Sequence, residues 1–444
     1  MRQRRIMVIA LGVVLGLVAS AAAAAALRTN QGAAPQATDV GITPSTIRLA
    51  VVADVETPLA PGLFRGSPTA VQAFAQYINQ SGGLAGRHLA VDFIDSHLSS
   101  GDARNAIITA CSQDFAVVGT AALFLNNVDD MVSCKDQAGA ATGLPDLPIV
   151  TTEVAEQCSP VSFPVNPSQL DCTTKDQRPQ TYRANVGTVK YFERAVKKNL
   201  HGISVYQNDL KSAAVSQLVL ARGSEAAGVK SDGEIGVSAT APQSGYTPAV
   251  QAMKNKSSNY ALSTGQFAAM VYLRKEADLQ GINRQSVVWD CFSPCYDKKF
   301  VQQGGPDVEG QYVTLAQLPF EEAKQNKTLA NYIKFAGQDK IDGFGAYAWI
   351  ASVLFRDAVN AVVKQGGNNA LTRKALLGAL RSVTSFNADG MWGPTNIAAH
   401  IPSPCFLIMQ LRNGQFKRLY PSKPGTFDCK PSNQVQLRTD LQGG

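Results

Sequence analysis

The sequence predicts an α/β protein made of two similar units, each with a parallel sheet at its centre. Three observations predict it. Short apolar runs alternate with helical patterns along the body of the chain, which is the pattern of βαβ units. The alternation stops in a loop-rich stretch from Glu153 to Arg183, with four prolines, and then restarts. The length of 444 residues suits two or three domains, each able to bury a core.

The elements follow in order. Ile47 to Val52 reads as the first strand. Val71, Phe74, Ala75 and Ile78 then recur at helical spacing and give one apolar face. Pro68 sits near the start of that helix, where its missing N–H costs nothing, and Gly82-Gly83 ends it. Leu89 to Ile94 is the second strand, and Ala103, Ala106, Ile107 and Ala110 form a second helical stripe. Ala116 to Gly119 and Pro148 to Thr151 read as two further strands. In the second unit Gly202 to Tyr206, Tyr260 to Ser263 and Ser286 to Trp289 are strands, with helices around Ala213 to Ala221 and Phe267 to Leu279. Val313 to Leu315 is expected to be a strand returning to the first unit. Helices over Ala346 to Lys364 and Thr372 to Val383 come next. Cys405 to Leu411 and Phe416 to Leu419, joined by Asn413-Gly414, read as a β-hairpin. The polar tail, residues 431–444, is expected to be disordered.

The N-terminus reads as an export signal over residues 1–27. Arg2, Arg4 and Arg5 precede an apolar stretch from Ile6 to Val18, and Ser20 to Ala26 offers small-residue cleavage points. The alternative is an uncleaved anchor, since Ile6 to Leu27 is long enough to span. No other segment is expected to cross a bilayer. Residues 28–43 are polar, contain Pro35 and read as a flexible linker.

Composition narrows the function. The chain is 45% hydrophobic and 17% charged, with a net charge of +7 of which three units belong to the N-terminal arginines. So mild a balance, without a clustered basic face, argues against nucleic acid as a partner. All eight cysteines lie beyond the signal, and an even count in an exported chain reads as disulfides. The candidates are Cys111, Cys134, Cys158, Cys172, Cys291, Cys295, Cys405 and Cys429, with nearest-neighbour pairing expected. No Cys-x-x-Cys motif occurs and no histidine stands at ligand spacing from a cysteine, so no metal is expected. The histidines, His88, His97, His201 and His400, form no helical metal pair. No Gly-x-Ser-x-Gly or phosphate-loop pattern occurs. Gly343-Phe-Gly-Ala-Tyr-Ala348 fits a dinucleotide fingerprint superficially but lacks a clear preceding strand. The reading is therefore not an enzyme, and no cofactor is expected.

Several segments, in order, resemble the branched-chain amino-acid-binding (Leu/Ile/Val-binding) branch of the type I periplasmic binding proteins, which serve ABC importers. Tyr77-Ile-Asn-Gln-Ser-Gly-Gly-Leu-Ala-Gly-Arg87 is the most specific piece and resembles the family's "INxxGGxxGR" segment. Ile47 to Val52, Val91 to Asp95, Ala116 to Gly119, Pro148 to Glu153, Tyr182 to Asn185 and Asn413 to Phe416 resemble further family segments. The similarity covers roughly residues 44–422. It implies two Rossmann-like lobes joined by a three-crossover hinge. Lobe 1 is expected over 44–184 and 319–390, and lobe 2 over 185–318 and 391–430. It also implies a ligand held between strand ends. On lobe 1 the resemblance points to Thr57, Thr120, Leu123, Thr152 and Glu153. On lobe 2 it points to Tyr206, Asn208, Gln266 and Asp290, with Phe344 and Tyr347 after the return crossover.

Two departures stand out. Ala121 and Ala122 replace the serines usual in amino-acid-binding members. Glu153 stands where a ligand carboxylate would be repelled, so a neutral, cationic or aromatic ligand becomes credible. Asp290 reads either as an anchor for a ligand ammonium or as a strand-end residue bonding the local backbone. The expected function is an extracytoplasmic solute-binding protein of an ABC importer. It would take a small organic ligand (an amino acid, amide or related compound), act as a monomer and dock on a membrane permease. The alternative is an extracytoplasmic sensor on the same fold, tethered by the N-terminal segment. An exported hydrolase is the third class, for which the sequence offers no nucleophile-and-base arrangement.

Overall fold

A computed structural model describes residues 34–57, 61–263 and 265–441. The expected signal and residues 28–33 of the expected linker lie outside that range. The first unit runs β1 (Thr46–Ala53), α1 (Gly66–Gln80), β2 (His88–Asp95), α2 (Ser100–Gln113), β3 (Ala116–Val118), α3 (Asp129–Val132), β4 (Asp146–Leu147) and α4 (Val154–Gln157). A connecting strand, β5 (Gln180–Asn185), leads to α5 (Gly187–Ala195), β6 (His201–Gln207), α6 (Lys211–Ala226), β7 (Lys230–Val237), α7 (Thr247–Lys256) and β8 (Tyr260–Ser263). Then come α8 (Phe267–Leu279), β9 (Val288–Cys291), α9 (Lys298–Gly304) and β10 (Tyr312–Leu315). The last third holds α10 (Lys327–Ala336), α11 (Gly343–Gly366), α12 (Arg373–Leu380), β11 (Leu407–Arg412), β12 (Gln415–Tyr420) and β13 (Gln434–Thr439).

Two main sheets result. The first has the order β2-β1-β3-β4 and is parallel throughout. The second has the order β12-β11-β10-β9-β8-β6-β7, parallel from β10 to β7 and closed at one side by the antiparallel hairpin β11-β12. In both, the chain starts at the second strand from one edge, adds the edge strand and then steps back across. Each sheet therefore has a topological switch point, between β1 and β3 in the first and between β6 and β8 in the second. Such points open a crevice at the carboxyl ends of the strands.

The central strands are almost wholly apolar and buried, as parallel strands covered on both faces must be. α11 lies along α1 and against the first sheet, with Trp349 edge-on to Phe74 at 5.0 Å and Phe355 near Phe115. Trp349 is 1% exposed, so Trp349→Ala would cost about 3–5 kcal/mol. Asp342 caps α11 by accepting from the Gly345 N–H at 2.6 Å, and Gly367 in left-handed geometry follows its end. This helix corrects the expectation that no later segment could cross a membrane. By length and composition it is apolar enough, but its apolarity serves the core, since most of it is buried.

The motif around Gly82-Gly83 has a mechanical explanation. Gly83 has φ +87°, and a Cβ there would stand 2.4 Å from the Arg87 carbonyl oxygen. That tight turn buries Arg87, whose guanidinium donates to the carbonyls of Gln36, Thr43, Ala85 and Asn368. Arg87 thereby straps residues 36–43 to the body. Asp39 adds a second tie, accepting from the Arg373 N–H at 2.7 Å. The expectation of a flexible linker thus fails over its described part, 34–43, because a buried guanidinium collects its carbonyls.

The disordered tail is also corrected. β13 pairs antiparallel with β5, and Val435 and Leu437 pack beside Leu170, Tyr182 and Val219. The alternation of those apolar residues is legible once a partner strand exists, but the segment alone is too short and polar to show it. β4 ends where a longer strand, Pro148 to Thr151, was expected, and β9 begins two residues later than read. β10 does not return to the first unit; it pairs with β9 and β11, and the chain crosses after it. β7 and α7 carry too few large apolar residues to stand out in the sequence, whereas α10 has Leu329, Tyr332, Ile333 and Phe335 at helical spacing and the sequence reading passes over it. All four nearest-neighbour disulfides are present: Cys111–Cys134, Cys158–Cys172, Cys291–Cys295 and Cys405–Cys429.

Candidate functional site

The strand ends at the two switch points carry most of the residues singled out from the sequence. On the first sheet β1 and β3 run out side by side, and the chain after each turns over the other. The Asp54 N–H donates to the Ala121 carbonyl and the Ala121 N–H to the Val52 carbonyl. Asp54, 1% exposed, fills the switch point with its carboxylate. One oxygen accepts from the Ser96 hydroxyl and the Leu98 N–H, each at 2.7 Å. The other accepts from the Leu123 N–H at 2.8 Å. The Leu123 carbonyl in turn accepts from the Thr152 hydroxyl at 2.8 Å. Three turns, after β1, β3 and β4, are thus joined through Asp54, Leu123 and Thr152.

Beneath this surface the polar groups are acidic. Thr120 is fully buried and donates to Asp146 at 2.5 Å, and Ser162 donates to the other oxygen at 2.9 Å. Burial pushes the Asp146 carboxyl up to about 7, against which the two hydroxyls act. Glu156 on α4 is 0% exposed, and neither carboxyl oxygen has a hydrogen-bond partner among the described residues. Burial, with Asp146, Glu153 and Asp54 nearby, raises its pKa well above the usual range. Glu153 itself is half-buried at the start of α4, and Thr57 is buried. Asp95 completes the wall by accepting from the Val55 and Glu56 N–H groups.

The second sheet presents a neutral counterpart. Tyr206 is half-buried and Asn208 exposed at the end of β6. Gly265 lets the next turn close over Gln207, since a Cβ there would be 3.0 Å from that amide carbon. Gln266, half-exposed, stands at the start of α8. Asp290 does not join them. It is 1% exposed and accepts from the Tyr260 hydroxyl at 2.8 Å, within the apolar layer formed by Tyr260, Leu262 and Val288. Burial pushes its carboxyl up to about 7. In β9 its side chain alternates onto the same face as Val288, away from the strand-end turn. The partner is thus a side chain of the neighbouring strand, neither a ligand ammonium nor principally the local backbone.

The two halves meet beside these walls. The loop closed by Cys291–Cys295 carries Ser293, whose hydroxyl lies 2.5 Å from the Tyr347 hydroxyl on α11. Tyr347 is buried, edge-on to Trp392 at 5.0 Å. Phe344 is half-buried and packs edge-on against Phe64 at 4.7 Å. The next residue after the disulfide, Tyr296, donates to Glu321 and accepts from the Phe320 N–H at 2.8 Å. Near the other crossing, a hollow of about 20 Å³ lies between Thr152 and Val154, the loop Ser168 to Leu170, and Val215 and Val219 on α6.

The structure therefore gathers Leu123 and Thr152, with Glu153 alongside, at the first switch point. Tyr206, Asn208 and Gln266 flank the second, and Phe344 and Tyr347 stand at the return crossing. It places Thr120 and Asp290 in the interior. Sequence reasoning passed over Asp146, Glu156 and Ser293. Asp146 had a signal: a charged residue within Leu144-Pro-Asp-Leu-Pro-Ile149, an otherwise apolar run entering the sheet. Among the described residues no three His, Cys, Asp or Glu side chains come together in a way that could hold a metal ion.

Residues 46–415 match the model of a family described as periplasmic binding protein. Solved structures share the fold. An ABC transporter substrate-binding protein from Aeropyrum pernix superposes with a TM-score of 0.67 at 12% identity, covering 87% of this chain and 97% of its own. A fatty acid ABC transporter substrate-binding protein from Thermomonospora curvata gives 0.66 at 18%, again over 87% and 97%. The branched-chain amino acid transporter substrate-binding protein LivJ from Streptococcus pneumoniae, in complex with isoleucine, gives 0.62 at 15%, over 85% and 100%. No curated protein sequence is significantly similar to this chain.

Proposed function

The chain belongs to the periplasmic binding protein family, and from that premise we propose that it captures a small organic ligand between its two lobes and delivers it to an ABC permease. The family is extracytoplasmic, and four disulfides fit an oxidising compartment. The moving bodies would be residues 44–184 with 319–390 and residues 185–318 with 391–430.

The observation that carries this reading is the pairing of two switch points beside shared crossings. Strand ends from one sheet supply Leu123, Thr152 and Glu153, and strand ends from the other supply Tyr206, Asn208 and Gln266. A guest touching both binds the closed form better than the open one, and that difference in affinity is what closes the hinge. The Ser293–Tyr347 contact lies where the halves meet and would form or break with that motion. The permease would then read the closed shape.

The test uses protein stripped of bound compounds by unfolding and refolding. Calorimetry and thermal shift against amino acids, amides, polyamines and small aromatics should find a binder. Small-angle scattering should then show a smaller radius of gyration on adding it. A protein whose scattering stays the same with a saturating binder would sink the hinge reading. Loss of uptake of that compound on deleting the gene would establish transport.

A further inference from the structure

Resting on the capture of a ligand between the lobes, we propose that the group the ligand presents to the first lobe is a cation or a hydrogen-bond donor such as an amine or amide, and not a carboxylate. Strand-end turns hold anions with free backbone N–H groups. Here five of those donors, on the turns after β1, β2 and β3, are already engaged by the protein's own acids. The Leu123 and Leu98 N–H groups go to Asp54, at 2.8 and 2.7 Å. The N–H groups of Val55, Glu56 and His97 go to Asp95, at 3.1, 2.8 and 2.9 Å. The hydroxyls of Thr120 and Thr152 donate to Asp146 and to the Leu123 carbonyl. At these turns a ligand carboxylate would meet Asp54 and Asp95 in place of free N–H groups.

A second observation points the same way. Glu156, fully buried, leaves both carboxyl oxygens without a partner among the described residues. It lies within electrostatic reach of Asp54, Asp146 and Glu153, so a further negative charge brought to this wall would be repelled. Buried polar atoms are rarely left unpaired; an amide can pair with the protonated carboxyl through both its groups, and an amine with the ionised one. The nearest recorded cation on the turn after β1, Arg65, is paired with Glu56 on the exposed side. Among the described residues no lysine or arginine pairs with Asp95, Asp146 or Glu156. Two proteins of the same fold differ in this respect: LivJ from Streptococcus pneumoniae is in complex with isoleucine and the Thermomonospora curvata protein is named for fatty acids, and both compounds carry a carboxylate.

The experiment uses matched sets differing only at the polar end: leucine, leucinamide and isoamylamine; benzoate, benzamide and benzylamine; arginine and agmatine. Binding to refolded protein is measured by calorimetry, and native mass spectrometry of freshly purified protein identifies any compound carried along. The amine or amide of a set should bind at least about tenfold tighter than its acid, a free-energy difference near 1.4 kcal/mol. A co-purified compound should carry a basic or amide group. An acid that binds as well as its amide or amine, or a co-purified acid lacking those groups, overturns the inference and leaves ligand capture standing. No binding by any set, together with no co-purified mass, removes the capture reading and this inference with it.

Discussion

The two switch points are built alike and filled differently. Between β1 and β3 a buried carboxylate, Asp54, takes three hydrogen bonds and ties neighbouring turns into one unit. Between β6 and β8 the corresponding space is bordered by neutral amides, Gln207, Asn208 and Gln266, of which Asn208 is exposed. A buried charge with its full set of donors is rigid, because moving it would strand a charge in the interior. Amides and a phenol at a half-exposed edge can change partners at little cost, since water replaces what they lose. The difference teaches where shape is fixed and where it adapts. The first wall is preset, and the second can adjust to the guest.

The comparison breaks most sharply at Asp54. Asp54→Ala removes the acceptor of three donors, one buried and two part-buried, and about 3–5 kcal/mol of stability should go with it, read by urea denaturation. A loss below 1 kcal/mol would mean the first wall is no more rigid than the second.

Asp146 sharpens it through pH. Its carboxyl titrates near 7 in the fold against 3.8 for the free group. The folded state therefore holds the extra proton, and stability from this group is full below about 3.8 and lost as the pH rises through about 7. Asp146→Asn cannot titrate. Wild type should lose stability relative to it between pH 5 and pH 8, by roughly 2–3 kcal/mol. A difference that stays flat with pH, or grows in favour of wild type, would show that Asp146 is charged in the fold.

On the other side, opening the five-residue loop with Cys291→Ser and Cys295→Ser should cost about 2 kcal/mol from loop entropy. It should also loosen Ser293 from Tyr347, which scattering would register as a larger open fraction. Tyr347→Phe removes that one hydroxyl contact and should cost about 1 kcal/mol, near a fivefold change in the open-to-closed ratio. Gln266→Ala should change stability by less than about 0.5 kcal/mol while altering ligand affinity. If Gln266→Ala cost as much as Asp54→Ala, the contrast between the walls would disappear.

Much of the fold is legible in the sequence because its signals are local. Apolar runs give β1, β2, β6 and β8, helical stripes give α1, α2, α8 and α11, and Asn413-Gly414 gives the hairpin. Nearest-neighbour cysteines pair because short loops lose least entropy on closing. The site is legible only in part. Leu123, Thr152, Tyr206, Asn208 and Gln266 stand at strand ends, which sequence order alone can locate. Asp290 and Thr120 stand there too, yet side-chain alternation turns both inward, and that depends on where each strand begins.

By itself the sequence determined two α/β units and their order, because periodicity and glycine turns act over a few residues; it left the cysteine pairing open among many connectivities, with the nearest-neighbour one expected. Only the tertiary structure decided that Arg87 and Asp39 fasten the segment before β1, that β13 doubles β5, and that Asp54 occupies the first switch point. Each of those joins groups far apart in the chain, such as Asp39 with Arg373 or Asp54 with Leu123. Residue type can show that such a group needs partners; burial and three-dimensional proximity select which partners it gets.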